Sequence, residues 1–230
     1  MYSYLKENIS AVRERVSSAG VRAGADTDSV NIVAVSKTFP ADIVKAAVGY
    51  GLNDLGESRL QDARPKIEEL GNIAIWHMIG HLQTNKVKKA VELFSMIQSV
   101  DSIHLANEIE LRAAKTDKII DCLLEVNSSG EKAKYGIHPD EIPETLAKLK
   151  DYGHIRIRGL MTIGPFVDDD KLIRYAFRMT RRLFEDARGQ MRDKFNTLSM
   201  GMSSDFELAI EEGSNMVRIG TAIFGQRKKR

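Results

Sequence analysis

The sequence has one cysteine, few prolines and no long apolar run. The single thiol, Cys122, excludes a disulfide within the chain, which fits a reducing cytoplasm. Cys122 lies in an aliphatic run, and we expect it to be a small buried apolar group. No window approaches the roughly 18 apolar residues of a membrane span, and the first residues lack the apolar stretch of a signal peptide. We therefore expect a cytoplasmic protein without a membrane partner.

The sequence also lacks an excess of either charge. Its 34 lysine and arginine residues nearly balance its 32 aspartate and glutamate residues, which leaves a net charge of +2. Because both signs are mixed along the chain, the composition does not indicate a nucleic-acid partner. The terminal run of basic residues, 227–230, is typical of a solvated tail, and a contact with an anion is the alternative.

No stretch rich in proline, glycine or serine is long enough to separate two domains. With 230 residues, of which 43% are hydrophobic, the chain can bury a sizeable core without disulfides. The best linker candidate, residues 20–28, joins an N-terminal helix to the rest of the chain. We therefore expect residues 1–230 to form a single domain, with a helix within residues 1–20 packed on it.

Short β-rich runs alternate with longer amphipathic segments after this helix, which predicts βαβ units with parallel strands. The predicted strands are residues 31–35, 53–56, 74–79, 95–100, 119–126, 155–163, 197–200 and 216–219. An open doubly wound sheet would carry a glycine-rich first turn, whereas residues 36–40 contain no glycine. The pattern favours an α/β fold that is a single closed (β/α)8 TIM barrel.

A lysine follows the first predicted strand. Period-two alternation points Lys37 to the same side as Val33 and Val35, which we expect to line the barrel interior. Catalytic residues of such barrels lie at the carboxyl ends of the strands. Loss of solvation there would favour the neutral amine, which is a nucleophile toward an aldehyde. The alternative is a lysine that merely extends to solvent from a strand end.

Two loops near the end of the chain have the composition of a phosphate site. The seventh strand runs into residues 199–205, and the eighth strand runs into residues 218–225. Both stretches place glycine and Ser or Thr where backbone N–H groups can approach an anion. The loops after strands seven and eight form the usual phosphate site of TIM barrels. Ordinary turn chemistry is the alternative for either loop.

Closure of the barrel would place Lys37 beside Gly220 and Thr221, because strand one pairs with strand eight. A ligand with both an aldehyde and a phosphate would bridge them, and pyridoxal 5'-phosphate (PLP) is such a molecule. Arg218 interrupts the apolar eighth strand and needs a partner if it is buried. That partner is either a carboxylate in the barrel or the pyridine nitrogen of PLP. In the second case the nitrogen stays unprotonated, because arginine keeps its proton, and the ring is a poor electron sink.

With these residues in view, the chain resembles the YggS/PROSC family of PLP homeostasis proteins. The resemblance covers residues 31–225, and the stretches that carry it are residues 32–38, 56–57, 76–86, 158–161, 199–205 and 216–225. It implies a fold similar to the N-terminal barrel domain of alanine racemase. The residues that it implies for PLP are Lys37 for the Schiff base, Arg218 for the pyridine nitrogen, and Ser199, Gly220 and Thr221 for the phosphate, with Gly201 and Met202 in the same loop.

The chain departs from the family at Ser58, where relatives usually have asparagine near the cofactor. We therefore expect Ser58 to contact PLP differently or through water. His81, just past the third strand, is expected to line the mouth of the site. The spacing of four between His77 and His81 would suit a metal pair on a helix, but this segment is predicted as strand and loop, so we expect no metal site.

Three functions remain open at this point. The resemblance implies a carrier or regulator in vitamin B6 homeostasis that holds PLP as a Schiff base without substrate turnover, with apo PLP-dependent enzymes as acceptors. A PLP-dependent racemase-like enzyme of low activity is the second, and a class I aldolase-like barrel is the third. Alanine racemase has a second domain that supplies a tyrosine base, and this chain ends after the eighth strand. We therefore expect an open site, no two-base arrangement and a monomer.

Overall fold

The computed structural model describes residues 2–24, 30–131, 134–191 and 194–226. The predicted basic tail, residues 227–230, lies outside the described residues. The strands are β1 (Asn31–Val35), β2 (Asp54–Glu57), β3 (Ile75–Met78), β4 (Met96–Val100), β5 (Ile120–Val126), β6 (Ile155–Thr162), β7 (Thr197–Ser199) and β8 (Met216–Ile219). The helices are α1 (Ser3–Ala23), α2 (Ala41–Gly49), α3 (Leu60–Leu70), α4 (Val87–Leu93), α5 (Ile103–Ala114), α6 (Ile142–Leu149), α7 (Asp170–Arg188), α8 (Phe206–Glu211) and α9 (Thr221–Phe224).

The strands form one closed parallel barrel in the order β1 to β8. β1 and β8 make the closing pair, in which Asn31 is the register partner of Met216 and Val33 is the register partner of Arg218. The helices between successive strands cover the outside of the barrel, as crossovers between parallel strands require. The predicted (β/α)8 TIM barrel is therefore confirmed.

The predicted strand boundaries agree with the structure to within one residue, but α1 is longer than predicted. Residues 20–23 belong to α1 rather than to a linker, because Ala19 and Gly20 are buried and the helix ends only at Gly24, whose φ is 64°. Residues 25–29 of the proposed linker lie outside the described residues. The helix therefore continues for three exposed residues past its last buried residue, Gly20, before the left-handed Gly24 ends it.

Helix α1 packs on the helices that follow β7 and β8. Its buried residues Leu5, Ile9, Val12 and Val16 recur at intervals of three or four and form one apolar face. This face contacts α8 and α9. α1 thus supports the part of the barrel in which the two predicted phosphate loops lie.

The barrel interior is partly polar. Some buried apolar residues of the strands lie apart from the core that fills the space between the sheet and the helices. Because side chains alternate along a strand, these residues point into the barrel. Inside the barrel they are Val33, Leu123, Met161 and Met216, beside the buried polar side chains of His77, Gln98, Ser199 and Arg218. The carboxyl end of the interior is therefore able to hold a polar ligand.

Cys122 on β5 has no exposed surface. Burial raises the pKa of its thiol, so the residue behaves as the small apolar group that the sequence predicts. Within the described residues, no helix combines the length and the apolarity that crossing a membrane would require.

Candidate functional site

A cavity of about 620 Å³ opens at the carboxyl end of the barrel. Six of the nine predicted site residues line it. These six are Lys37, Ser58, Met202, Arg218, Gly220 and Thr221. A larger cavity of about 700 Å³, beside Ile119, Tyr152 and Arg156, contains none of the predicted residues. We therefore take the carboxyl-end cavity as the candidate site.

Lys37 lies in a tight turn directly after β1. The N–H of Phe39 donates to the carbonyl of Ser36 at 3.1 Å, which closes the turn around Lys37 and Thr38. Thr38 has a φ of 72°, a left-handed conformation that is costly for a β-branched residue. Phe39 stacks on Phe224 of α9, with ring centroids 5.0 Å apart. The turn that carries Lys37 is thus strained and is held in place by packing across the seam.

A buried ion pair fixes the residue that precedes Lys37. The ammonium of Lys66 on α3 donates to Glu57 Oε1 at 2.6 Å and to the carbonyl of Ser36 at 2.7 Å. The hydroxyl of Ser36 donates to the same carboxylate oxygen at 2.6 Å. Glu57 has no exposed surface and Lys66 is 7% exposed. The hydroxyl and the carbonyl of Ser36 are therefore both held by this ion pair, which constrains the backbone that leads to Lys37.

Arg218 is 3% exposed and faces the cavity from β8. Its Nη1 donates to the carbonyl of Ser199 at 2.8 Å and to the Ser199 hydroxyl at 2.6 Å, and its Nη2 donates to the carbonyl of Thr162 at 2.8 Å. Burial lowers the pKa of Arg218 to about 10, and the negative charges of Glu125 and Asp205 oppose this shift. The guanidinium therefore stays protonated at neutral pH. Its direct partners are neutral oxygens, and no carboxylate among the described residues forms an ion pair with it.

The two predicted phosphate loops meet at the mouth of the cavity. The backbone N–H groups of Gly220 and Ala222 both point at the hydroxyl oxygen of Ser203, at 3.2 and 3.3 Å. A side-chain atom on Gly220 would lie 3.3 Å from the Val35 carbonyl oxygen, a tight contact, so a larger residue here would have to push the end of β1 away by a few tenths of an ångström. Convergent N–H groups beside a protonated arginine have the donor chemistry of an anion site.

Three predicted site residues do not line the cavity. Ser199 has no exposed surface and is the register partner of Met216, so it lies two residues below Arg218 in the ladder. Gly201 has a φ of 91° and packs against α8, while its carbonyl accepts from the N–H of Arg218. The ring of His81 stacks on Tyr135 at a centroid distance of 3.7 Å, and its Nδ1 lies 2.9 Å from an Asp101 oxygen.

Sequence reasoning missed several residues of the site. Ser203 and Ser204 lie within a predicted phosphate loop but were not singled out, although both line the cavity. Phe166, in the loop after β6, also lines it and is 96% exposed. The Glu57–Lys66 pair had one signal in the sequence, since Lys66 falls among apolar positions of α3.

Near Arg218, the carboxyl whose pKa is shifted most is that of Glu125 on β5. Burial, and after it the charge of Asp101, raise its pKa to about 7, while the charge of Arg218 opposes this shift. This carboxyl therefore exchanges its proton near neutral pH.

Comparison with known proteins identifies the family. The family model described as the alanine racemase N-terminal domain matches residues 3–228. The chain belongs to this family. Within it, a relative from Aquifex aeolicus named pyridoxal phosphate homeostasis protein is 40% identical over 223 residues, which are 96% of this chain and 98% of the relative. The predicted resemblance to PLP homeostasis proteins is confirmed.

Two solved structures share the fold over nearly the whole chain. A protein of unknown role from Bifidobacterium adolescentis superposes with a TM-score of 0.92 at 36% identity, covering 96% of this chain and 94% of that one. PipY of Synechococcus elongatus, solved with PLP bound, superposes with a TM-score of 0.83 at 32% identity, covering 96% of this chain and all of PipY.

Proposed function

We propose that this protein binds PLP through an imine bond to Lys37 and serves intracellular PLP homeostasis as a carrier without substrate turnover. The observation that carries the proposal is one cavity, across the β1–β8 seam, lined by Lys37, Arg218, Gly220 and Thr221. The names of the relatives and the PLP-bound structure of PipY support the same ligand.

The donor set of the cavity fits the three polar ends of PLP. Lys37 supplies a primary amine for the aldehyde, with loss of one water as the imine forms. The N–H groups near Gly220 and the hydroxyls of Ser203 and Thr221 suit the phosphate. Arg218 suits the pyridine nitrogen, which needs a donor at that position. Ser58 lines the same cavity and is placed for a direct or water-mediated contact.

The protonation state of Arg218 favours a carrier over a carbanion-forming enzyme. PLP, when bound, supplies an electron-withdrawing ring whose strength depends on a proton at the pyridine nitrogen. A guanidinium that faces this nitrogen donates a hydrogen bond but keeps its proton, since its pKa of about 10 lies well above neutrality. The ring then remains a poor electron sink, which disfavours aminotransferase-type carbanion chemistry.

We further propose that apo PLP-dependent enzymes are the acceptors, that the protein works in the cytoplasm, and that it is a monomer. The carboxyl-end cavity opens beside the exposed Phe166, so an acceptor could approach it without prior opening of the barrel. Sedimentation of the loaded protein tests the monomer, transfer of PLP to an apo-enzyme at substoichiometric concentration tests the acceptors, and fractionation of cells tests the location.

The decisive experiment is borohydride reduction of the PLP-loaded protein followed by peptide mass spectrometry. We expect the reduced adduct on Lys37, its loss in Lys37→Ala, and its retention in Lys45→Ala, which removes an exposed lysine of α2. A label on another lysine would overturn the proposal. The racemase alternative is tested by α-proton exchange on a panel of amino acids, and exchange that depends on Lys37 would replace the carrier by an enzyme.

A further inference from the structure

A chain of hydrogen bonds crosses the barrel interior from Arg218 to Asp54. Nη1 of Arg218 lies 2.6 Å from the Ser199 hydroxyl, which lies 2.8 Å from Gln98 Oε1. Nε2 of Gln98 lies 2.9 Å from His77 Nδ1, and His77 Nε2 lies 2.7 Å from an Asp54 oxygen. The five side chains come from five different strands, and we call them the relay.

The relay has one consistent direction. Arginine only donates, so the Ser199 hydroxyl accepts from Arg218 and directs its own hydrogen to Gln98 Oε1. This fixes the Gln98 amide with its nitrogen toward His77. The same nitrogen, Gln98 Nε2, donates its second hydrogen to Met216 Sδ, with 3.3 Å between nitrogen and sulfur. A neutral His77 therefore accepts at Nδ1 and donates from Nε2 to Asp54.

The relay is buried at Ser199 and Gln98, whereas its last member, Asp54, is partly open to solvent. Gln98 and Ser199 have no exposed surface, and His77 is 2% exposed. His77 and Asp54 line a cavity of about 370 Å³ at the amino end of the barrel. The other charged groups on that cavity are Asp121 and Arg158. A buried network whose donors and acceptors are all used resists rotation of any one member.

We propose that Gln98 and His77 are positioning residues for Arg218, holding its guanidinium at the carboxyl-end cavity through Ser199. A proton added to Nδ1 of His77 would face the amide nitrogen of Gln98, so two hydrogen-bond donors would point at each other without an acceptor between them. The amide must then turn over, and Ser199 loses its acceptor. Protonation at the amino end of the barrel thereby loosens Arg218 at the carboxyl end. The effect on PLP retention rests on the proposed function, whereas the relay itself does not.

The first test uses the cofactor-free protein, so it does not depend on PLP. Imidazole ¹⁵N NMR should show His77 with its hydrogen on Nε2. Ser199→Ala frees the Gln98 amide to turn its oxygen toward His77, so a fraction of the His77 rings should carry a hydrogen on Nδ1. Ser99→Ala is the matched control, since this buried β4 hydroxyl donates to the Gly80 carbonyl outside the relay. The same His77 tautomer in the two variants, or a wild-type ring protonated on Nδ1, would overturn the proposal.

A second variant covers the case in which Ser199→Ala does not fold. Gln98→Glu replaces the donor that faces His77 by an acceptor, so a hydrogen should appear on Nδ1 of His77. A His77 spectrum that is unchanged in Gln98→Glu contradicts the relay.

The loaded protein supplies the last readout. PLP should dissociate about five- to tenfold faster from Ser199→Ala, or from Gln98→Leu, which removes the acceptor of the Ser199 hydroxyl, as expected for one disturbed hydrogen bond. Thr180→Ala, which removes a buried hydroxyl of α7, should leave the rate unchanged. Unchanged dissociation in both Ser199→Ala and Gln98→Leu would show that Arg218 is positioned without Gln98 and His77. If Lys37 were not the labelled lysine, the proposed function would fail, and the NMR result would still decide the relay.

Discussion

Val33 of the first strand and Arg218 of the last strand are register partners in the ladder that closes the barrel. Lys37 follows Val33 by four residues, and Gly220 and Thr221 follow Arg218 by two and three. Because parallel strands advance together, this one pairing brings an amine, a guanidinium and a glycine loop to the same end of the seam. The candidate site is therefore a consequence of the closing register.

Arg218→Lys should weaken the site while it keeps the positive charge. The forked guanidinium reaches the carbonyls of Ser199 and Thr162 together, and a lysine ammonium cannot reproduce both bonds with the same geometry. We expect a loss of about 1–2 kcal/mol in the free energy of unfolding from one unsatisfied carbonyl, measured in urea. Arg156→Lys, at a half-exposed ion pair on β6, is the control and should change little.

Lys66→Met should destabilise the protein strongly. It leaves the Glu57 carboxylate buried without its counter-ion, at a cost of about 3–5 kcal/mol in the free energy of unfolding. The double variant Glu57→Gln with Lys66→Met should recover part of this loss, because no buried charge remains. Arg64→Met, which removes the exposed partner of Glu68 on the same helix, should unfold like wild type. A double variant less stable than Lys66→Met would contradict this account.

Glu125 should make the stability fall as pH rises toward neutrality. Its pKa is raised from 4.5 to about 7, so the folded state holds this proton more tightly than the unfolded state. Between these values the unfolded state binds fewer protons, and the free energy of unfolding decreases with rising pH. The full shift corresponds to about 3 kcal/mol at about 1.4 kcal/mol per pKa unit.

Denaturant unfolding at several pH values between 4.5 and 7.5 checks this prediction. Glu125→Gln should flatten this contribution to the pH dependence, while Glu185→Gln, at a surface position of α7, should preserve it. The same slope in wild type and Glu125→Gln would assign the pH dependence to another group.

Gly201→Ala should disrupt the loop after β7. A side-chain atom at Gly201 would lie 2.6 Å from the Cβ of Ala209 and 2.7 Å from the Cα of Phe206, and the φ of 91° disfavours any other residue. We expect a loss of about 2–4 kcal/mol from overpacking and backbone strain together. Gly189→Ala, with open space around it and a φ of −70°, should be neutral in the same thermal or urea unfolding assay.

The strands and the barrel could be predicted because alternation and spacing are local properties of the chain. Lys37, Gly220 and Thr221 could be placed together because closure of a barrel has only one seam. Ser199 was predicted at the phosphate, yet the structure sets it behind Arg218. Alternation along a strand tells on which side of the sheet a residue lies. It does not tell how far along the barrel axis the side chain reaches compared with a longer side chain on the neighbouring strand.

The sequence by itself determined the barrel, the residue type at the end of each strand and the pairing of the first strand with the last. Only the tertiary structure decided which buried polar groups are partners. Glu57 with Lys66, and Gln98 with His77 and Ser199, are brought together by packing between different elements. Hydrogen bonds depend on distances of a few tenths of an ångström and on direction, and a sequence pattern that fixes period and order cannot specify either.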